Sequence, residues 1–123
     1  MFVQGECYTR RDINRALGGS VQSYLPTVNN HVVAACFNAM YDPDAPEIVL
    51  VGRGPIIEGT AEQFATQGNA VPTFLKRGVN CWAYAGNYRV VRHSRDREEI
   101  LRLAERADRV GDVTSVLFLE RSG

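Results

Sequence analysis

The stretch Asn80-Cys81-Trp82-Ala83-Tyr84-Ala85-Gly86-Asn87-Tyr88-Arg89-Val90-Val91 limits what this chain can become more than any other. Large residues alternate with small ones, and the aromatic and β-branched content is that of a strand. A strand this long carries a full row of backbone donors and acceptors, so it needs partner strands. Even spacing predicts Trp82, Tyr84 and Tyr88 on one face.

Partners are available. Glu47 to Val51 is a second apolar run, ended by Gly52, and Val71 to Lys76 and Val113 to Leu119 are further strands. His31 to Phe37, bounded by Asn29-Asn30 and Asn38, is nearly continuous in apolar residues and predicts a central strand buried on both sides. Helices fill the intervals. Thr9 or Arg10 begins one that runs through Leu17, with Ile13, Ala16 and Leu17 on one face and Gly18 as its stop. Thr60 opens a second that closes at Gly68-Asn69. Ser94 caps a third that reaches Asp108 with Ile100, Leu103, Ala104 and Ala107 at helical spacing. Asp42 to Pro46 and Gly52 to Gly59 read as loops. The expectation is an α+β fold: a curved, mostly antiparallel, β-barrel-like sheet with flanking helices. At 123 residues the chain forms one domain, 1–123, able to bury roughly two-thirds of its unfolded surface.

Charge gives little direction by its total, because 14 basic and 14 acidic side chains cancel. Position matters more: Arg10, Arg11, Arg15, Arg53, Lys76, Arg77, Arg89 and Arg92 have few acids beside them, which allows a basic face. The start MFVQGECY lacks the pattern of a signal peptide, and no apolar run approaches the roughly 20 residues that span a bilayer. A soluble protein with no membrane partner is expected, cytoplasmic or, in a eukaryote, nuclear. Cys7, Cys36 and Cys81 show neither CxxC nor Cys/His spacing, which predicts reduced thiols and no metal.

Motifs for catalysis are sparse. No GxSxG or GxGxxG occurs, and Gly52-Arg53-Gly54-Pro55 is too poor in glycine to cradle phosphate. Asp42 or Asp44 with His31 or His93 leaves a small hydrolase open. A nucleic-acid reading has more material: Thr9, Arg10 and Arg11 at a helix start, then Gly18-Gly19-Ser20-Val21-Gln22-Ser23-Tyr24, supply cations, hydroxyls, amides and free backbone N–H groups. Within that loop Ser20, Gln22 and Tyr24 are the candidate contacts, and Arg53, Lys76 and Arg77 add cations.

In this order, the segments resemble a family. Tyr8-Thr9-Arg10-Arg11-Asp12-Ile13-Asn14 with Gly18-Gly19 and Gln22 is similar to the opening of SRA-like (SET- and RING-associated) modified-DNA-binding domains, as in McrA-like modification-dependent HNH restriction nucleases. Asn14 stands where that pattern has His. Leu50-Val51-Gly52-Arg53-Gly54 resembles the family's Tyr-Thr-Gly-x-Gly strand end, Gln67-Gly68-Asn69-Ala70-Val71 its Gly-Asn-x-Ala segment, and Trp82 to Val90 its aromatic strand.

The resemblance implies a reader of double-stranded DNA that turns one modified cytosine, 5-methyl or 5-hydroxymethyl, out of the duplex into a pocket. It implies no cofactor and no catalysis by this chain, any nuclease being fused or associated. Tyr41 and Asp44 match the Tyr-x-x-Asp pattern that stacks on the base and reads its edge, with Asn38, Ala39 and Met40 lining the pocket through their backbones. Leu50 and Val51 replace Tyr-Thr, so Tyr8 or Trp82 would supply the second ring, and the loop that enters the emptied duplex is shortened to Arg53–Gly59. A PUA-like binder of RNA or modified nucleotides is the alternative within the same architecture.

Overall fold

In the computed structural model, which describes residues 1–122, the aromatic-rich segment is part of a 14-residue strand, β7 (Cys81–Ser94), at the centre of the main sheet. Along the chain come β1 (Cys7–Tyr8), α1 (Arg10–Leu17), β2 (Thr27–Val28), β3 (His31–Val32), β4 (Ala35–Phe37), β5 (Ile48–Val51), α2 (Pro55–Gln67) and β6 (Val71–Gly78). After β7 follow α3 (Arg97–Arg106) and β8 (Ser115–Ser122). The sheet order is β4-β6-β7-β8-β5, with β1 added to β7. Only β4 with β6 is parallel among the described ladders; the others are antiparallel. The α+β, mostly antiparallel expectation holds. The sheet is open, since no described ladder joins β4 to β5.

The predicted common face of Trp82, Tyr84 and Tyr88 is not formed. Thr73 pairs with Gly86 but Phe74 pairs with Tyr84, so Ala85 is an extra residue that reverses the in-out parity of β7. Trp82 and Tyr84 therefore pack beside Ile13, Ala34, Cys36 and Phe74, whereas Tyr88 joins Val90 and Phe64 in a different cluster. Glycine is required at the bulge: Gly86 has φ +119°, and a Cβ there would lie 2.7 Å from Arg121 Nε.

The apolar run His31–Phe37 is two strands, not one. Asn29 and Asn30, both at positive φ, turn β2 into β3 as a separate small sheet, and β4 then lies at the edge of the main sheet. Its outer side is not bare, because Cys36 N donates to Tyr24 O at 2.8 Å. An unbroken apolar run signals burial, and here connecting segments and helices provide it although β4 has a partner strand, β6, on one side only.

Local chemistry explains the helix ends. Thr9 and Asp12 form a reciprocal capping box, with Asp12 N donating to Thr9 Oγ1 at 3.0 Å and Thr9 N to Asp12 Oδ2 at 2.9 Å. Helix α2 starts at Pro55, not at Thr60, so most of the expected Gly52–Gly59 loop is helical; proline fits a first turn, and the Thr60 hydroxyl donates back to Ile56 O at 3.1 Å. Asp96 rather than Ser94 caps α3 by accepting from Glu99 N.

Three buried clusters hold the layers together. Helix α2 places Ala61 and Phe64 against Val49, Val51, Val71 and Leu117; α3 places Leu103 and Ala104 against Leu50, Val113 and Val116; α1 places Ile13 against Ala34, Cys36 and Phe74. The expectation of three reduced thiols is corrected: Cys7 and Cys81 are joined as a disulfide with Cα atoms 4.8 Å apart, because β1 lies alongside the start of β7. Cys36 alone is free, and burial pushes its thiol up to about 11. Phe64 is fully buried at the middle of the α2 contact. Phe64→Ala should lower the unfolding free energy by about 3–5 kcal/mol, read from urea denaturation.

Candidate nucleic-acid interface

A cavity of about 660 Å³ opens where β4, β5, the β6–β7 turn and the loop after α1 converge. One wall comes from Arg10, Lys76 and Trp82, another from Val21, Gln22 and Tyr24, and the floor from Cys36, Phe37 and Leu50. The remaining lining includes Asn38, Tyr41, Asp42, Arg53, Ile57, Val79, Asn80, Arg109 and Asp112.

The turn after β4 sets the acidic corner. Asn38 O accepts from Tyr41 N at 3.0 Å and from Asp42 N at 2.9 Å, while its side-chain Oδ1 accepts from Met40 N at 3.0 Å. That turn leaves Tyr41 62% exposed at the rim and turns Asp42 inward, 7% exposed. Asp42 Oδ1 accepts from Leu50 N at 2.9 Å and from Arg109 at 3.2 Å. Burial pushes the Asp42 carboxyl up to about 6, although the Leu50 N–H and the Arg109 guanidinium favour its charged form.

The basic wall is tied to the loop after α1. Arg10 donates to Ser20 O at 3.0 Å and to Ser23 O at 2.6 Å, which pins the loop after α1 to the helix start. Its guanidinium lies 5.3 Å from the Trp82 ring centroid and Lys76 Nζ 5.8 Å from it. Arg10 Nε is buried without a partner, against the wall of the cavity. Tyr24 donates its hydroxyl to Ile57 O at 2.6 Å, and burial pushes that phenol up to about 12.

Of the pocket residues expected from the sequence, Asn38, Tyr41, Leu50 and Trp82 line the cavity. Ala39 and Met40 are exposed on the turn beside it and outside its lining. Val51 is corrected to the core: it is fully buried with Phe64 and Val71, because successive strand residues face opposite ways. Asp44 is also corrected, since Arg106 holds its carboxylate through two bonds of 2.9 Å away from the cavity lining. Asp42 is the carboxylate that the fold turns inward.

Among the expected DNA contacts, Arg10, Gln22, Tyr24, Arg53 and Lys76 line the cavity, while Arg11 and Arg77 face solvent. Ser20 accepts from Gln22 N and Ser23 N at 3.0 Å each and shapes the loop. Tyr8 is an aromatic-cluster residue, its ring 5.0 Å from Phe2 and 6.1 Å from Phe74, and it lies outside the cavity lining. Trp82 already carries two cations, which leaves Tyr24 as the aromatic partner to Tyr41 in the lining.

Sequence reasoning missed Arg109, Asp112, Ile57, Val79 and Asn80. Arg109 lies 67 positions from Asp42, and no local pattern announces it. The hydrolase pairing is not assembled: neither His31 nor His93 lines the cavity, and His93 Nε2 is 2.8 Å from Ser115 Oγ with Nδ1 3.5 Å from Glu62. Among the described residues, no three His, Cys, Asp or Glu side chains group as a metal site requires.

The buried Asp42 has a consequence for stability. Its folded value of about 6 lies above the ordinary 3.8, so between these pH values the folded state binds more protons than the unfolded state. Its contribution is therefore fully present below the ordinary value and falls as pH rises to about 6. Urea denaturation across that range should show wild type losing stability relative to Asp42→Asn as pH rises.

Solved structures with the same architecture are found at low sequence identity. The SRA domain of SUVH5, in complex with hemimethylated CG DNA, superposes with a TM-score of 0.64 at 15% identity, covering 99% of this chain and 89% of that one. The sulfur-binding and SRA domains of ScoMcrA, complexed with phosphorothioated DNA, match at a TM-score of 0.52 and 14% identity, over 97% of this chain and 39% of that one. The modification-dependent restriction endonuclease TagI matches at 0.51 and 15%, over 96% and 48%. This chain thus spans less than half the length of the two nuclease-derived chains. No curated protein matches it in sequence. The resemblance in fold to SRA domains is thereby established, and because residues 7–112 match the family described as "Domain of unknown function (DUF6697)", the chain belongs to that family.

Proposed function

We propose that this chain is a reader of modified double-stranded DNA that takes one base, a 5-methyl- or 5-hydroxymethylcytosine, out of the duplex into the cavity. The observation that carries the reading is the inward Asp42 carboxylate in a cavity of about 660 Å³ on an SRA fold. Flipping costs a few kcal/mol of unstacking, which stacking and hydrogen bonds inside the pocket must offset. Tyr41 at the rim and Tyr24 in the wall offer aromatic faces, and Leu50 offers an apolar one. An ionised carboxylate accepts hydrogen bonds and donates none, so Asp42 suits the exocyclic amine of cytosine.

Backbone contacts fall to Arg11, Arg53, Lys76 and Arg77, with Ser20 and Gln22 at the loop edge. Arg10 has a different part: it builds the wall, with one guanidinium nitrogen donating to both Ser20 O and Ser23 O. No catalysis is assigned to this chain, and cleavage would belong to a fused or associated nuclease, a reading supported by the likeness to the restriction endonucleases ScoMcrA and TagI. No helix of the described residues is long and apolar enough to cross a membrane.

Gel-shift titration tests the reading. The chain should bind duplexes carrying 5-methyl- or 5-hydroxymethylcytosine more tightly than the unmodified duplex, and stronger competition by hairpin RNA than by duplex DNA would instead select an RNA ligand. Asp42→Ala should weaken binding to the modified duplexes, whereas Asp44→Ala should leave it unchanged. Equal binding to modified and unmodified duplexes rejects the proposal. Arg77→Ala should weaken all duplexes alike and flatten the salt dependence by about one unit of log–log slope.

A further inference from the structure

Arg109 enters the cavity from the connection between α3 and β8, far from every motif that carries the family resemblance. Its guanidinium donates to Tyr41 O at 3.0 Å, Asp42 Oδ1 at 3.2 Å and Leu50 O at 3.3 Å, and to Asp112 Oδ2 at 3.1 Å. One side chain thus ties the turn after β4, the strand β5 and its own connection together. Its side chain is 15% exposed and that of Asp42 10%, so the pair is shielded from solvent and salt screens it weakly.

We infer that Arg109 is the positioning residue of this cavity: it fixes Asp42 as an ionised, acceptor-only group facing the ligand and so makes the site select a base with an amino group over one with a carbonyl. The inference rests on the nucleobase reading above. Its logic is that a carboxylate accepts from an amine, whereas the protonated acid donates to a carbonyl, so the charge state of Asp42 decides which edge fits. Arg109 also supports the backbone carbonyls of Tyr41 and Leu50, the residues that bracket Asp42 in the lining.

The groups around Asp42 leave few other sources for such a response. Asp112 comes from the same connection as Arg109, Tyr24 from the loop after α1, and Arg53 with Glu58 from the start of α2. Tyr41 and Asp44 stand on the turn of Asp42 itself, and Arg106 holds the Asp44 carboxylate below the usual range. No histidine lines the cavity. Burial pushes the Asp42 carboxyl up to about 6 with Arg109 beside it, inside the pH range that the test covers.

The test measures binding to duplexes carrying 5-hydroxymethylcytosine or 5-hydroxymethyluracil from pH 5 to 9, together with the carbon-13 NMR titration of the Asp42 carboxyl in the DNA-free protein. Wild type should prefer the cytosine duplex above about pH 6 and lose that preference below it. In Arg109→Met both the carboxyl titration and the binding midpoint should rise by about 1–3 pH units, as expected when a cation beside a carboxylate is removed. Preference lost at pH 7 should then return at pH 9. Arg109→Lys keeps the charge and should keep the wild-type midpoint, and it serves if the methionine variant melts early. An unchanged Asp42 titration in Arg109→Met, or a loss of preference that no rise in pH restores, overturns the role of Arg109. A titration that shifts while wild type fails to separate either modified duplex from unmodified DNA overturns the nucleobase reading, and with it the ligand assigned here.

Discussion

The architecture depends on the ladders of β7. This strand pairs with β6 over Cys81–Tyr88 on one side and with β1 and then β8 on the other, so a partner strand runs beside almost its whole length. Two of the three helix layers pack against it. Helices α1 and α2 pack on clusters that receive residues from the two halves of β7, and the bulge at Ala85 is what sends Trp82 and Tyr84 to one cluster and Tyr88 to the other. Were Ala85 paired in a regular ladder, the three aromatic residues would share one face and the α2 side would lose Tyr88.

The cavity follows from the same frame. The β6–β7 turn brings Lys76, Val79 and Asn80 next to Trp82, while the short edge strand β4 ends early and releases the chain into the turn that holds Asp42. A buried carboxylate is costly unless it is hydrogen-bonded and paired. Here the Leu50 N–H and Arg109 meet that cost in part, and the residual desolvation leaves Asp42 poised closer to neutrality than an exposed aspartate. Elsewhere in the lining, Arg10 and Lys76 place positive charge against Trp82. The chain is neutral as a whole, yet its site has separated poles of charge.

Much of the frame was legible because it is written in local chemistry. Thr9 and Asp12 cap α1, Gly18 ends it, Glu47 to Val51 reads as a strand, and the α3 periodicity is plain. Where the reading failed, a local signal had two structural meanings. A proline between glycines suggested a loop and proved to be a helix start; an unbroken apolar run suggested a central strand and proved to be a turn strand and an edge strand. The in-out parity of β7 depended on Ala85, which sequence alone does not mark as a bulge.

The site divides along the same line. Sequence by itself determined the segment that supplies the cavity turn, Asn38 to Asp44, and the aromatic and basic residues Tyr41, Trp82, Arg10 and Lys76, because short motifs carry side-chain identity and spacing. Only the tertiary structure decided that Asp42 rather than Asp44 faces inward, that Tyr24 rather than Tyr8 joins Tyr41, and that Arg109 arrives to hold the carboxylate. The reason is physical: which acid is buried depends on the partners that neutralise it, and those partners, Leu50 N and Arg109 for Asp42 and Arg106 for Asp44, are brought by folding from distant parts of the chain.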